Sequence, residues 1–485
     1  METHLVPAGA SDGRACYLNG LVRLRAGQPA EASSLLLRAL RDRPDDSDVR
    51  RNLIRALLAS EQYAEVLDQA AIALALMPDD SEMHFAQGTA LIAVHRPLAA
   101  RAALTRAVVL RPSLAAGWLN LGNACVDLDD CEEAERHYRT AIRFNPVMAQ
   151  AFASLGHLLL SDGRLEDAIA ACETAVNLAP AMVEAHWTLA SALLLSGDMP
   201  RGLREYEWRK RHPVFRADFA ALPGPYWAGD DPAGKVILVR GEQDSGDTIQ
   251  FARYLRAIVE RGGTPVLQCE PALVPLLAGM DGVVVLPRSA KLEGYDAWID
   301  LMSLPLAIGG VPCADGYLRL GARPVRDPAF RVGIAWAGNP AQANDRRRSI
   351  AGAALAPLLA MPGVSFVNLQ VGARGGEAGL PDLSAQLTDF AETAKLIGTL
   401  DLVIAVDTAV AHLAGALGVP LWVMLAHVPD WRWQLHRTDS PWYASAQLFR
   451  QDAPGDWNGV IRRVSEALVQ KRSSPGCRSG SGKSR

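Results

Sequence analysis

The first half of the chain alternates apolar and polar positions with a helical period, and proline interrupts this pattern at a regular interval. The prolines spaced by 34 residues are Pro44, Pro78, Pro112, Pro146 and Pro180. An alanine stands five residues before each proline, and a small or branched residue stands twelve before it. Because small side chains let helices approach closely and proline cannot continue a helix, the pattern predicts stacked pairs of antiparallel helices. We expect the break within a pair near Asp129 or Gly163.

In the second half, short apolar runs rich in branched residues alternate with longer helical patterns. The runs form two sets, 236–240, 266–269, 283–286 and 298–301, then 332–336, 364–369, 402–406 and 421–425. Short, wholly apolar runs are typical of buried parallel strands. Strands interleaved with helices predict two Rossmann-like α/β lobes, whose ligands bind at the carboxyl ends of the strands. The predicted fold class is therefore an all-helical solenoid followed by a two-lobed α/β domain.

These patterns divide the chain into five parts. We predict a solenoid at 13–211, a linker rich in proline, glycine and aromatic residues at 212–234, a first lobe at 235–322, a second lobe at 329–470 and a disordered basic tail at 471–485. A chain of 485 residues with 49% hydrophobic composition has the length for several separate cores.

Charge and cysteine content exclude several classes of function. The formal net charge is -4, and the basic tail makes the rest of the chain more acidic, which argues against nucleic-acid binding. The seven cysteines are scattered without metal-ligand spacing, so we expect reduced thiols and no metal. No apolar run approaches the roughly 20 residues that span a bilayer, and the start of the chain lacks a secretory signal pattern. We therefore expect a cytoplasmic protein.

The strongest local feature is a predicted strand at 402–406 that leads directly into a helix of small residues. Asp407 and Thr408 stand at the turn, and the small Ala409 leaves an anionic oxygen room to reach the unpaired amides of the helix start. His412, four residues after Thr408, shares that face. The alternative is that Asp407 and Thr408 only cap the helix and that His412 fills a polar position in the core.

Two further junctions carry charged residues. Three consecutive arginines, Arg346, Arg347 and Arg348, follow the strand at 332–336 in a predicted loop, where guanidinium groups suit a leaving diphosphate. The alternative there is a solvated charged loop. Asp247 is predicted to begin a helix after the strand at 236–240, where its carboxylate can take the proton of an attacking hydroxyl. The alternative is a helix N-cap.

Both halves resemble known families. The first half resembles the tetratricopeptide repeat from about residue 13 to 180, with a sixth, weaker copy to about 211. The second half, from about 226 to 468, resembles the heptosyltransferase type of glycosyltransferase family 9, in the branch fused to such repeats. That resemblance rests on Gly241–Glu242–Gln243, Gly246–Asp247–Thr248 and the residues to Tyr254, Gly338–Asn339, Asn344–Asp345–Arg346, Arg348–Ser349–Ile350, residues 407–418, and Pro429–Asp430–Trp431–Arg432–Trp433.

The resemblance implies a GT-B fold and a metal-independent transferase that inverts the anomeric centre by direct displacement. The residue matching the family's general base is Asp247. The donor-binding residues it implies are Arg346, Arg348, Gln370, Asp407, Thr408, Ala409 and His412, with Gln370 in the region of the nucleoside. The implied partners are a nucleotide sugar and a glycan or protein acceptor, with no cofactor beyond that co-substrate.

The sequence departs from the family pattern in two places. Asp244–Ser245 replaces a common Gly–Leu pair and puts a second carboxylate near Asp247. Gln342 stands where this branch often has histidine. The alternative function is therefore a non-catalytic scaffold in which a degenerate domain binds a nucleotide sugar. The repeats in turn either recruit a protein partner or acceptor into their groove or brace the adjoining domain.

Overall fold

The computed structural model describes residues 13–215, 219, 222–310, 316–319, 329–342 and 345–473. The predicted tail beyond 473, parts of the predicted linker, the end of the predicted first lobe and Asn344 lie outside these residues. The described chain forms two compact units, one of residues up to 159 together with 166–185, the other of 160–165 together with 186 onward. The last helices of the predicted solenoid thus belong to the second unit.

The first half is helical throughout its described length, with the pairing that the 34-residue spacing predicts. The helices are α1 Gly13–Arg25, α2 Pro29–Asp42, α3 Ser47–Ala59, α4 Tyr63–Leu76, α5 Ser81–Ala93, α6 Pro97–Leu110, α7 Ala115–Val126, α8 Cys131–Phe144, α9 Ala149–Ser161, α10 Leu165–Leu178, α11 Val183–Ser196 and α12 Met199–Tyr206. The second helix of each of the five proline-marked pairs ends two residues before its proline, as at Asp42 and Phe144. Asp129 and Gly163 have positive φ at the breaks within their pairs, which confirms the predicted turns.

Small residues at the helix contacts explain why the pairs pack closely. A Cβ added to Gly122 of α7 would lie 2.5 Å from Cε1 of Tyr138 on α8. Ala134 and Ala141 of α8 are fully buried. Aspartate side chains cap the starts of several helices. At the start of α3, for example, the side chain of Asp46 accepts from the amides of Asp48 and Val49.

In the second unit, two parallel sheets carry the α/β elements. The first lobe contains β1 Val236–Arg240, α13 Ser245–Phe251, α14 Leu255–Glu260, β2 Thr264–Cys269, α15 Val274–Leu277, β3 Val284–Pro287, β4 Ala297–Asp300 and α16 Leu304–Ile308. The second contains β5 Phe330–Ala335, α17 Asp345–Arg348, α18 Ala356–Leu359, β6 Val364–Asn368, α19 Phe390–Ile397, β7 Leu402–Val406, α20 Ala409–Ala416, β8 Leu421–Leu425, β9 Ala446–Arg450 and α21 Trp457–Ser473.

The strand order of each sheet reverses at one point. The orders are β3-β2-β1-β4 and β6-β5-β7-β8-β9, with parallel pairing throughout. The eight predicted strands are present. The fifth strand of the second sheet, β9, was not predicted, because it follows a long aromatic loop that carries no strand pattern. The helix α21 extends to Ser473, three residues into the predicted tail.

The described end of the predicted linker joins the first sheet. The amide of Trp227 donates to the carbonyl of Trp298 on β4, and the amide of Trp298 donates to the carbonyl of Pro225. The Trp227 side chain is 1% exposed. This segment is therefore part of the lobe and lies along the outer edge of β4.

Candidate functional site

Four strand ends carry the predicted site residues, and all but the end of β6, which Gln370 follows, lie where the strand order of a sheet reverses. In the first sheet the reversal lies between β1 and β4, and the segment after β1 leads to Asp247. In the second sheet it lies between β5 and β7, whose following segments carry Arg348 and Asp407. Such reversal points are the crevices in which open α/β sheets bind ligands.

Asp247 occupies the third position of α13, which corrects the prediction that it begins the helix. The N-cap is Asp244, whose side chain accepts from the Asp247 amide, while the Asp247 carboxylate accepts from the Asp244 amide at 3.2 Å. The helix begins earlier because this reciprocal capping box satisfies amides that would otherwise have no partner. One carboxylate oxygen of Asp247, Oδ2, is used in this way.

The other carboxylate oxygen of Asp247 is paired with an arginine of the second lobe. Oδ1 of Asp247 lies 2.5 Å from Nη2 of Arg432, and Nη1 of the same guanidinium lies 2.8 Å from Oδ1 of Asp430. Nε of Arg432 donates to Oε1 of Gln250 at 2.9 Å. Burial raises the pKa of Asp247 above its usual range, and the positive charge of Arg432 opposes this rise without cancelling it.

Arg432 lies in the motif Pro429–Trp433, and the sequence alone gives it no site role. Its guanidinium lies 4.4 Å from the ring centroid of Trp431, which is itself buried. The signal that could have found it is a lone arginine between two tryptophans, because a cation in an apolar segment needs a buried anion. That anion, Asp247, is far away in sequence.

The start of α20 faces the start of α13. A Cβ added to Gly246 would lie 3.4 Å from Cα of Ala409 and 3.1 Å from Cδ2 of His412. Glycine at 246 thus lets the two helix ends approach. Thr408 is the N-cap residue of α20, but its hydroxyl donates to the carbonyl of Val406 at 3.2 Å and makes no side-chain cap. The alternative in which Thr408 caps the helix with its side chain is therefore wrong.

His412 is 5% exposed and lies among polar and aromatic groups. Its Nδ1 is 3.0 Å from the Tyr443 hydroxyl, its ring stacks on Trp433 with centroids 5.4 Å apart, and its Nε2 is 3.7 Å from Oδ1 of Asp407. Burial alone would raise the pKa of Asp407. Its interactions with His412, Trp433 and Arg348 outweigh burial, and the pKa of Asp407 is lowered.

The three arginines lie on a short helix, α17, and not in the predicted loop. Arg348 points back over the strand end, since a Cβ on Gly338 would lie 2.5 Å from its Nε. The side chain of Arg346 is exposed, and no contact within the described part of the chain links it to Asp407 or Asp247. The charge of Arg348, and not that of Arg346, also acts on Asp407 just before α20, so the structure brings Arg348 closer to that helix end.

Gln370 follows β6 and is 8% exposed. Its Oε1 accepts from the amides of Trp336 at 3.1 Å and Ala337 at 2.9 Å. The side chain therefore ties the end of β6 to the end of β5. This leaves only its amide nitrogen to contact a ligand.

The two departures from the family pattern contact each other. Nε2 of Gln342 donates to Oδ2 of Asp244, and Oε1 of Gln342 accepts from Nη2 of Arg348. Gln342 thus links the carboxylate of Asp244 to Arg348, a residue predicted to bind the donor diphosphate. Among the described residues, no cluster of three or more histidine, cysteine or acidic side chains has the arrangement of a metal site.

Comparison with known families covers both halves of the chain. Models of the tetratricopeptide repeat match residues 23–88, 85–149, 119–182 and 154–207. A model of glycosyltransferase family 9 (heptosyltransferase) matches residues 382–452. The chain joins tetratricopeptide repeats to a glycosyltransferase family 9 domain. Both predicted resemblances are confirmed. The matched part of the family 9 domain contains β7, α20 and Arg432, whereas Asp247 and Arg348 lie outside it.

One curated relative and several solved structures are similar to this chain. Protein FlbA of Caulobacter vibrioides is 29% identical over 316 residues, which cover 56% of this chain and 52% of that protein. The chain thus spans about half the length of this relative. A tetratricopeptide protein of Thermus thermophilus is 24% identical with a TM-score of 0.33, covering 38% of this chain and 99% of that one. MamA of Desulfovibrio magneticus RS-1 is 19% identical with a TM-score of 0.33, covering 36% and 99%.

Within the described residues, no helix is both long and apolar enough to cross a bilayer.

Proposed function

We propose that this chain is an inverting, metal-independent glycosyltransferase that moves a sugar from a nucleotide donor to a hydroxyl group of a glycan or protein. The observation that carries the proposal is the approach of Gly246 to Ala409, which places Asp247 beside the start of α20. A carboxylate and an anion-binding helix end are thus held at the carboxyl ends of two facing sheets.

The donor diphosphate would bind at the start of α20. The amides of Ala411 and His412 bond to the carbonyl of Thr408, so the amides of Ala409 and Val410 precede the first intrahelical bonds. They offer donors and the positive end of the helix dipole to phosphate oxygens. Arg348 would add a guanidinium, and Asp407 and His412 would line the site. The nucleoside would reach Gln370 at the end of β6.

Asp247 would act as the general base. It takes the proton of the acceptor hydroxyl as that oxygen forms a bond to the anomeric carbon, and the bond from that carbon to the diphosphate oxygen breaks. The electron pair stays on the diphosphate, where amides and guanidinium groups stabilise it without a divalent cation. Direct displacement inverts the anomeric centre. Entry of donor requires the two lobes to separate, because Gly246 contacts the helix end.

A non-catalytic nucleotide-sugar-binding scaffold is the second candidate. It is favoured by the hydrogen bonds that join Asp244 to Arg348 through Gln342. The negative charge of Asp244 would compete there with a diphosphate for the positive charge of Arg348. In either case the repeats would recruit a protein partner or acceptor.

Turnover against a panel of nucleotide sugars and acceptors tests the proposal. The purified protein is screened by mass spectrometry for retained nucleotide sugars, which are then supplied with glycan and peptide acceptors in the presence of EDTA. We expect transfer with inverted configuration and no loss of rate in EDTA. Tight nucleotide binding without turnover on any acceptor would favour the scaffold instead.

Replacing Arg348 by methionine is expected to weaken donor binding. A charge-assisted hydrogen bond contributes about 1.5–3 kcal/mol, so the dissociation constant of a nucleoside diphosphate should rise by about 10-fold or more. Calorimetry measures this constant, and Arg347→Met is the matched control because Arg347 is exposed on the same short helix. Equal effects of the two substitutions would contradict the assignment of Arg348.

A further inference from the structure

A buried arginine just beyond α12 holds the segment that leads to Asp247. Arg209 lies in a 3₁₀ helix, Glu207–Arg211, and its side chain is fully buried. Its Nε and Nη2 lie 2.8 and 2.7 Å from the two carboxylate oxygens of Glu242. Nη2 also donates to Oγ of Ser303 at 2.8 Å. Glu242 is 1% exposed and accepts from the amide of Met302 at 2.9 Å.

A contact from α12 itself reaches the next residue of the same segment. The Tyr206 hydroxyl lies 3.3 Å from Oε1 and 3.2 Å from Nε2 of Gln243. Gln243 has a φ of 56°, a conformation that a residue with a side chain adopts only when its surroundings hold it there. The Tyr206 ring also packs edge-on against Trp431, with centroids 5.6 Å apart. Tyr206 thus contacts both the segment before Asp247 and the neighbour of Arg432.

The same 3₁₀ helix also contacts the strand ends of the first sheet. Nζ of Lys210 lies 3.2 Å from Oδ2 of Asp300 at the end of β4. Oδ1 of Asp300 is 2.7 Å from Nη2 of Arg240 at the end of β1. These are the two strands between which the sheet order reverses. The contacts therefore converge on the carboxyl ends of the strands of the first sheet, where the candidate site lies.

We propose that Tyr206 and Arg209 are positioning residues, which clamp Glu242 and Gln243 so that Asp247 faces the start of α20. The effect of this clamp on catalysis rests on the proposed transferase function, whereas the contacts that form the clamp do not depend on it. Buried ion pairs often stabilise a fold no more than apolar groups of similar shape. A physical reason for the Arg209–Glu242 pair is therefore that it fixes the geometry of the segment before Asp247. Through this clamp, the end of the repeat half is part of the active-site framework.

The test compares Tyr206→Phe and Arg209→Met with Arg211→Met, an exposed arginine of the same 3₁₀ helix, all in the full chain. Tyr206→Phe removes only the hydroxyl and preserves the ring contact with Trp431. We expect it to lower kcat by about 5- to 10-fold with the donor KM within about two-fold, and Arg209→Met to lower kcat further. Deuterium exchange of the amides in 241–247 should accelerate in both variants and not in Arg211→Met.

The exchange measurement separates failure of the clamp from failure of the proposed function. Faster exchange confined to 241–247, in a protein without turnover on any acceptor, would support the clamp and overturn the transferase proposal. Unchanged exchange of 241–247 in both variants would overturn the clamp. So would faster exchange spread evenly over both sheets with a lower unfolding temperature, because that pattern indicates a general loss of stability.

Discussion

Replacing Asp247 by asparagine is expected to lower kcat for sugar transfer by about 10²- to 10⁴-fold, with little change in donor affinity. The amide is nearly the same size as the carboxylate but cannot accept the acceptor proton, which is the contribution expected of a general base. Steady-state kinetics at saturating donor measures kcat, and calorimetry measures donor affinity. Asp281→Asn is the matched control, an exposed aspartate of the same lobe.

Full turnover in Asp247→Asn would show that another group takes the proton. The pH dependence of the wild-type protein gives an independent check. The active form of a general base is the deprotonated form, and burial raises the pKa of Asp247 above its usual range. The rate should therefore fall on the acid side at a pH higher than an ordinary aspartate would require. This acid limb should be absent from any residual activity of Asp247→Asn.

Replacing Arg432 by methionine is expected to lower the free energy of unfolding by about 3 kcal/mol at neutral pH. The substitution leaves Asp247 and Asp430 without the cation that they share, and an uncompensated buried carboxylate is costly. Urea unfolding followed by circular dichroism measures the change. Arg462→Met is the control, because Arg462 is exposed on α21 of the same lobe.

The effects of Arg432→Met on the rate and on the free energy of unfolding should both depend on pH. Removing the positive charge raises the pKa of Asp247 further, so the acid limb of the rate profile moves to higher pH. Protonation makes the Asp247 carboxylate neutral, so the loss of stability should shrink as the pH falls through the pKa of Asp247 in the folded variant. A loss of stability that is independent of pH would mean that Arg432 acts through packing on Trp431 alone.

The repeat half could be predicted almost in full from the sequence. Its information is local, because each proline, alanine and glycine acts on a helix that ends or packs within about 34 residues. The predicted strands of the lobes are present in the structure because their pattern is local as well. A wholly apolar run such as Leu402–Val406 has few places to lie other than the middle of a parallel sheet.

The site was predicted only in part. The turn at Asp407 and the place of Asp247 near the start of the helix after β1 follow from motifs that lie at single strand ends. The contact between Asp247 and Arg432 does not, because it joins two lobes and depends on how their sheets face each other. The joining of Asp244 to Arg348 through Gln342 depends on the same approach, as does the closeness of Gly246 to Ala409.

The sequence by itself determined the helical period, the strands and the chemical types of residue at each strand end, because these depend on neighbours along the chain. Only the tertiary structure decided which of those groups meet. Arg348 turns toward the start of α20 whereas Arg346 remains exposed, and the last helix before the lobes reaches Glu242 and Gln243. Burial and charge pairing set the pKa of Asp247, and both arise from residues that the chain brings together only when it folds.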